Sequence, residues 1–350
     1  MAKSKSNWDE DDVRINKSRQ FGASSKTRPR TKDRPDYSSA QTATIIEVDR
    51  GRVKCLIKAP DGKKIITAMK ARELGKKSVV VGDFVSIVGD ISGNEGSLAR
   101  VVTVLPRKNS LTRSIEDHAN DERVIVANVD QMAIVIAAAN PEPKVGLVDR
   151  ALVVAYDQGI KPIIIMTKKD LANGDEFLQI YKDLDISVFK TDKSSGLSAL
   201  QEVLAGKITV LLGHSGVGKS TLVNNLLASS TNKVAEFGIE NGERVTGDVN
   251  EVTGRGRHTT SSAVALPLSS SFDGADFGWI IDTPGVRSFG IAHIQAARVI
   301  SSFPEFSEAI ANCQKNCTHN EPGCALNNWP TLTDQHLARL ASLRRVLSIG

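Results

Sequence analysis

The spacing of apolar positions changes twice along this chain. Between residues 41 and 105 the apolar residues come in short alternating runs, at 44–48, 53–57, 65–68, 79–81, 84–88 and 99–104. A period of two predicts half-buried strands. Asp49-Arg50-Gly51-Arg52 and Pro60-Asp61-Gly62-Lys63 carry hairpin-turn chemistry between them. About five short strands in so small a space predict a closed barrel of the oligonucleotide-binding type, with an SH3-like barrel left open by the pattern. Phe84 is its lone aromatic residue, so its lysines would serve phosphates and base stacking would be minor. Cys55 reads as a small core residue.

From Gln131 the pattern becomes one of continuous apolar runs separated by helical spacing. Met132–Ile136, Lys161–Met166, Ile186–Phe189, Ile208–Leu212 and Gly278–Ile281 read as buried parallel strands. Val145–Asp157 has helical periodicity, and a short helix is expected near Leu197–Leu204. Strands alternating with helices predict a doubly wound sheet, whose ligands lie beyond the strand carboxyl ends. After about residue 290 the chain turns helical, and Thr333–Leu347 reads as a capped amphipathic helix. The expected segments are a basic tail at 1–38, a barrel at 39–110, an α/β domain at 111–290 and a mainly helical domain at 291–350. The tail holds ten basic and six acidic residues with almost nothing apolar to bury, so disorder is expected there. Arg28, Arg30, Lys32 and Arg34 could order on RNA phosphates.

Chemistry sits at the strand ends. Gly213-His214-Ser215-Gly216-Val217-Gly218-Lys219-Ser220, followed by Thr221, is a full phosphate loop between a buried strand and a helix. Its glycines let backbone N–H groups close on phosphate oxygens, Lys219 reaches the terminal phosphates, and Ser220 offers a hydroxyl to Mg²⁺. His214 is expected to point away from the nucleotide. Asp282-Thr283-Pro284-Gly285 ends another buried run, which suits a second acidic partner for Mg²⁺ at Asp282 and a γ-phosphate contact at the Gly285 N–H. Between these elements lies a polar segment containing Arg255-Gly256-Arg257-His258-Thr259-Thr260, in which Thr259 or Thr260 could add a hydroxyl to Mg²⁺. Thr167-Lys168-Lys169-Asp170 looks like a guanine reader: Asp170 would accept from guanine N1 and N2, and Lys168 would lie along the ring. A carboxylate there repels adenine, which presents an acceptor at N1. This motif precedes the phosphate loop in the chain, whereas in Ras-like proteins it follows.

Composition adds less. Among the 350 residues, 40% are apolar and 24% charged, with a formal charge of +5, compatible with a nucleic-acid partner. The polar N-terminus and the lack of any run near 20 apolar residues point to a cytoplasmic protein with no membrane partner. Three of the four cysteines fall close together. Cys313-x3-Cys317-x-His319-x4-Cys324 supplies three thiolates and one imidazole, the donor set of a closed, structural Zn²⁺ site.

Together these residues resemble the RsgA (YjeQ) family of circularly permuted GTPases of small-ribosomal-subunit biogenesis. The resemblance spans roughly residues 40–345. It implies a barrel, a permuted GTPase domain and a zinc domain, and a GTP hydrolase that acts late in maturation of the small (30S) subunit, binds its rRNA and is stimulated by it. GTP and GDP, with Mg²⁺, and one Zn²⁺ per chain are the implied ligands, and a monomer is expected. Lys219 and Asp282 would carry catalysis. His258 is a further candidate, because Val286 stands where many GTPases place a water-orienting Gln. Thr167 replaces the usual Asn of the guanine motif, and Thr191-Asp192-Lys193 stands where a Ser-Ala-Lys-like loop is expected. The cysteine spacings are each one residue shorter than the family's usual pattern. An ATPase with the same loop, or an RNA-binding scaffold ordered by nucleotide, is the alternative.

Overall fold

The computed structural model describes residues 37, 40–49, 51–59, 62–75, 78–115, 118–193, 195–228, 263–268, 278–283, 296–329 and 332–348, without the side chains of 114–122 and 335. Five strands form the N-terminal part: β1 (Gln41–Asp49), β2 (Arg52–Ala59), β3 (Gly62–Lys70), β4 (Phe84–Gly89) and β5 (Ala99–Val104). They run in the order β1-β2-β3-β5-β4, and β1 also pairs with β4, which closes the barrel. Alternate residues point inward, among them Ile45, Cys55, Ile66, Val85 and Val101, all buried. Burial pushes the Cys55 thiol up to about 12, in keeping with a core residue.

Residues 79–81 do not form the strand their apolar run suggests. Val81 makes a single bridge to Val126. Asp83 diverts the chain by accepting from the Val80 N–H at 2.9 Å and pairing with Arg107 at 2.7 Å. Gly82, at φ 89°, takes the turn. A hairpin, β6 (Ser110–Ile115) with β7 (His118–Ala127), then links the barrel to the next layer. Its charged second strand hides the apolar alternation that would have announced it.

The α/β part has strand order β10-β9-β8-β11-β13-β12, using β8 (Gln131–Ala137), β9 (Lys161–Thr167), β10 (Ser187–Lys190), β11 (Ile208–Leu212), β12 (Val264–Leu268) and β13 (Gly278–Asp282). All neighbours are parallel except β12 with β13. On β8, Ile134 and Ile136 face one core, while Ala133, Val135 and Ala137 face the other. That is why the run is apolar throughout. Helices α1 (Val145–Asp157), α2 (Asp175–Gln179), α3 (Ser198–Leu204) and α4 (Lys219–Ala228) connect the strands. β12 was not legible in the sequence, because it is short and contains Pro267. Its Val264 pairs with Glu47 of β1, so barrel and α/β part share one 11-stranded sheet.

The last helices are α5 (Ala296–Ser301), α6 (Ser307–Ile310) and α7 (Asp334–Leu347). Thr333 caps α7: its hydroxyl accepts from the His336 N–H at 3.2 Å, and the Thr333 N–H donates to His336 Nδ1. Phe303, Phe306, Leu340, Leu343 and Val346 are buried in the same cluster as Val148 and Leu152 of α1. Each such side chain contributes roughly 1.5–3 kcal/mol by leaving water. Residues 39–350 thus make one unit. The expected tail at 1–38 lies almost wholly outside the described residues.

Candidate functional site

The carboxyl ends of β8, β9, β11 and β13 lie side by side in the sheet and bring three sequence motifs to one edge. The phosphate loop follows β11 and runs into α4. Gly216 and Gly218 have φ of 81° and 89°, a backbone conformation that side-chain-bearing residues rarely adopt. At Gly213 a Cβ would lie 2.3 Å from the Val135 carbonyl oxygen, so the close approach to β8 requires glycine. Leu222, Val223, Leu226 and Leu227 anchor α4 in the core, which fixes its N-terminus at the loop.

Lys219 donates from Nζ to the carbonyls of Gly213 at 2.6 Å and His214 at 2.8 Å. Burial lowers its pKa, and the Asp282 carboxylate opposes that shift. Asp282 is buried at the end of β13, in register with Leu211 of β11, and the Thr283 hydroxyl donates to the Leu211 carbonyl at 3.2 Å. Lys219 and Asp282 therefore share one electrostatic environment at the mouth of the loop. Ser215, Ser220 and Thr221 are half-buried along the same loop and first helical turn. His214 turns its ring toward the Ser215 carbonyl, 2.9 Å from Nδ1, and lines a cavity of about 50 Å³ with Val135, Pro141, Leu147 and Val217.

The segment after β9 lies alongside. Thr167 is buried and donates into the fold, to Val217. Lys168 adopts φ 57° and donates from Nζ to the Asn140 carbonyl. Burial lowers the Lys168 pKa, and Asp170 works against that shift. Asp170 is exposed. Lys169 is half-buried, its N–H donates to the Thr191 carbonyl at 3.2 Å, and its ammonium lies 3.7 Å from Asp192. Asp192 in turn accepts from the Ser195 N–H and hydroxyl at 2.7 and 2.6 Å. The loop after β10 is thereby knitted to the segment after β9. Sequence reasoning missed Asn140 and Ser195, since a carbonyl and a turn hydroxyl carry no motif. His258, Thr259, Thr260, Gly285 and Val286 lie outside the described residues.

A second cluster holds Cys313, Cys317, His319 and Cys324, whose donor atoms all lie within 4.8 Å of one another. Tetrahedral zinc with bonds near 2.3 Å places sulfur ligands about 3.8 Å apart. Cys313 and Cys324 Sγ are 3.8 Å apart, and His319 Nδ1 lies 3.6 and 3.9 Å from them. The donor set and its spacing fit a closed tetrahedral ion. Two further residues brace it. Glu321 accepts from the Thr318 N–H and hydroxyl at 2.9 and 2.8 Å and from Cys317 at 3.2 Å. Arg344 donates from α7 to the His319 carbonyl at 2.8 Å.

Comparison with known proteins agrees with this arrangement. The sequence profile described as RsgA GTPase matches residues 104–292. The small ribosomal subunit biogenesis GTPase RsgA of Pseudomonas aeruginosa PAO1 is 36% identical over 269 residues, 73% of this chain and 72% of that protein. The protein of the same name from Pseudomonas syringae pv. syringae B728a is 36% identical over 245 residues, 67% of this chain and 65% of that protein. Among solved structures, YjeQ from Thermotoga maritima superposes with a TM-score of 0.57 at 25% identity, covering 87% of this chain and 98% of that one. YloQ, described as a circularly permuted GTPase, shares the fold with a TM-score of 0.55 at 20% identity, covering 89% of this chain and 97% of that one.

Proposed function

The chain belongs to the RsgA GTPase family, and from that premise we propose that it hydrolyses GTP to GDP and phosphate as a late maturation factor of the small ribosomal subunit. The observation that carries the proposal is the meeting of three motifs at one sheet edge: the phosphate loop after β11, Asp282 at the end of β13 and the Thr167–Asp170 segment at the end of β9. Asp170 and Lys168 would read guanine. The N–H groups from Gly213 to Thr221, with Lys219, would hold the phosphates, and the Gly285 N–H would touch the γ-phosphate.

Magnesium, when bound with GTP, neutralises charge on the phosphate oxygens. The Ser220 hydroxyl, Asp282 and one of Thr259 and Thr260 would hold it. The buried acid beside Lys219 fits that use. Lys219 would stabilise the negative charge that builds as the phosphoryl group leaves, and Asp282 would act by holding the cation. Val286 offers no group to orient water, so intrinsic turnover should be slow, with His258 or a group of the ribosome completing the site. In the C-terminal cluster we assign zinc as the resident ion. It would be held by Cys313, Cys317, His319 and Cys324 with no position left for water, hence in a structural role.

The rRNA reading finds support on the barrel. An open hollow of about 520 Å³ is lined by Lys58, Lys63 and Lys64 beside Gln41 and Ile57, a surface suited to phosphates. No helix among the described residues is long and apolar enough to cross a membrane; a role on the ribosome would be a cytoplasmic one. The deciding experiment compares phosphate release from GTP and from ATP by the wild type and by Lys219→Ala. Release from GTP alone, lost in the variant, is expected. Release from ATP at an equal rate would favour the ATPase reading, and release unchanged by the substitution would sink both.

A further inference from the structure

Thr167 opens the segment read as a guanine reader, yet its hydroxyl is turned into the protein. The residue is buried, and Oγ1 lies 2.5 Å from the Val217 carbonyl oxygen and 3.2 Å from that of Ile136. A hydroxyl has one proton to give, and the shorter contact takes it. Thr167 ends β9, Ile136 belongs to the adjacent β8, and Val217 lies within the phosphate loop. The side chain therefore ties the end of β9 to the loop. The contact is close along its length: a Cβ on Gly218 would come within 3.6 Å of Thr167 Oγ1.

The peptide that joins Val217 to Gly218 is planar and trans, so its carbonyl and its N–H point in opposite directions. Holding the carbonyl against Thr167 fixes where the Gly218 N–H points. That N–H belongs to the set that surrounds phosphate in loops of this type. Gly218, at φ 89°, has no side chain to resist rotation of this peptide, and the Thr167 bond is a restraint on it from outside the loop. Resting on the guanine-nucleotide reading, we infer that Thr167 is a positioning residue of the phosphate loop and takes no part in reading the base. Base selection then rests on Asp170 and Lys168. The Thr167 hydroxyl strengthens GTP and GDP binding alike, whatever base they carry.

The test is equilibrium binding of GTP, GDP and inosine diphosphate to the full chain and to Thr167→Val, Thr167→Ala and Thr167→Ser, scored on the folded fraction. Valine keeps the shape and removes the proton, alanine removes both, and serine keeps the hydroxyl. The expected result is about tenfold weaker binding of GTP and of GDP in the Val and Ala variants, equal to about 1.4 kcal/mol. The ratio of GDP to inosine diphosphate affinity should stay unchanged, and the Ser variant should bind close to wild type. A merely structural role would lower melting temperature while leaving the affinity of folded protein intact. Val and Ala variants that bind GTP as the wild type does, or that shift the guanine-to-inosine preference, overturn the inference alone. A wild type that binds no guanine nucleotide removes the guanine reading and this inference with it.

Discussion

Lys219 is the proposed phosphate contact and Asp170 the proposed base contact, and their environments differ accordingly. The Lys219 ammonium is buried, with carbonyls for partners and the Asp282 carboxylate nearby. Lys219→Ala should lower the turnover rate by about 10²–10³, measured as phosphate release at saturating GTP. Asp170 is exposed at the end of its segment and, as the proposed base reader, would work by hydrogen-bond complementarity. Asp170→Asn should weaken GTP binding by about a hundredfold, roughly 2.7 kcal/mol, and should turn preference toward xanthosine nucleotides, whose N2 amino group is replaced by a carbonyl. Competition binding with both nucleotides reads this, and an unchanged preference would remove Asp170 from base reading. These residues were legible in the sequence, because phosphate loops and acid–base matches require fixed residue types at fixed spacing. Thr167 was legible only as a departure from the usual Asn. Its bond to the Val217 carbonyl joins residues 50 positions apart and leaves no local trace.

Elements with strong periodicity emerged close to their observed bounds. Val145–Asp157 is α1 as its spacing predicts, and Ile208–Leu212 is β11. What escaped was decided by partners distant in the chain. β12 depends on pairing with β13 on one side and β1 on the other, and β7 depends on β6 across a charged turn. Residues 79–81 lost their strand to the Asp83 carboxylate. At this scale α7 makes a testable contact with α1. Arg345 donates to Asp149 at 3.0 Å and lies 5.3 Å over the Tyr181 ring, while the second Asp149 oxygen is buried without a hydrogen-bond partner. Arg345→Met should cost about 1.5–3 kcal/mol in urea unfolding, since it strands a buried carboxylate. Adding Asp149→Asn should recover most of that loss, because the uncompensated charge is gone. No recovery would mean that the cost of Arg345→Met came from lost packing.

Across the whole molecule, the permuted order sets which unit touches which loop. In sequence the cysteine cluster follows Asp282, an order that would suit hydrolysis swinging the C-terminal unit as a body. The buried contacts argue for a different division. Phe303, Phe306, Leu343 and Val346 share one core with Val148 and Leu152 of α1, and a rigid swing would expose them at roughly 1.5–3 kcal/mol each. The C-terminal helices are better read as part of the α/β body. Removing the ion with a strong chelator, or mutating Cys317→Ser, should release one equivalent of zinc and lower the melting temperature, with the Arg344–His319 brace lost. An unchanged metal content after Cys317→Ser would contradict the assigned ligands.

The central claim, a GTPase that serves small-subunit maturation, is tested most directly by GTP turnover with and without purified small ribosomal subunits. The proposed function predicts slow turnover alone, stimulation by the subunit of about tenfold or more, and no stimulation of Lys219→Ala. Turnover that is indifferent to the small subunit would contradict the ribosomal assignment.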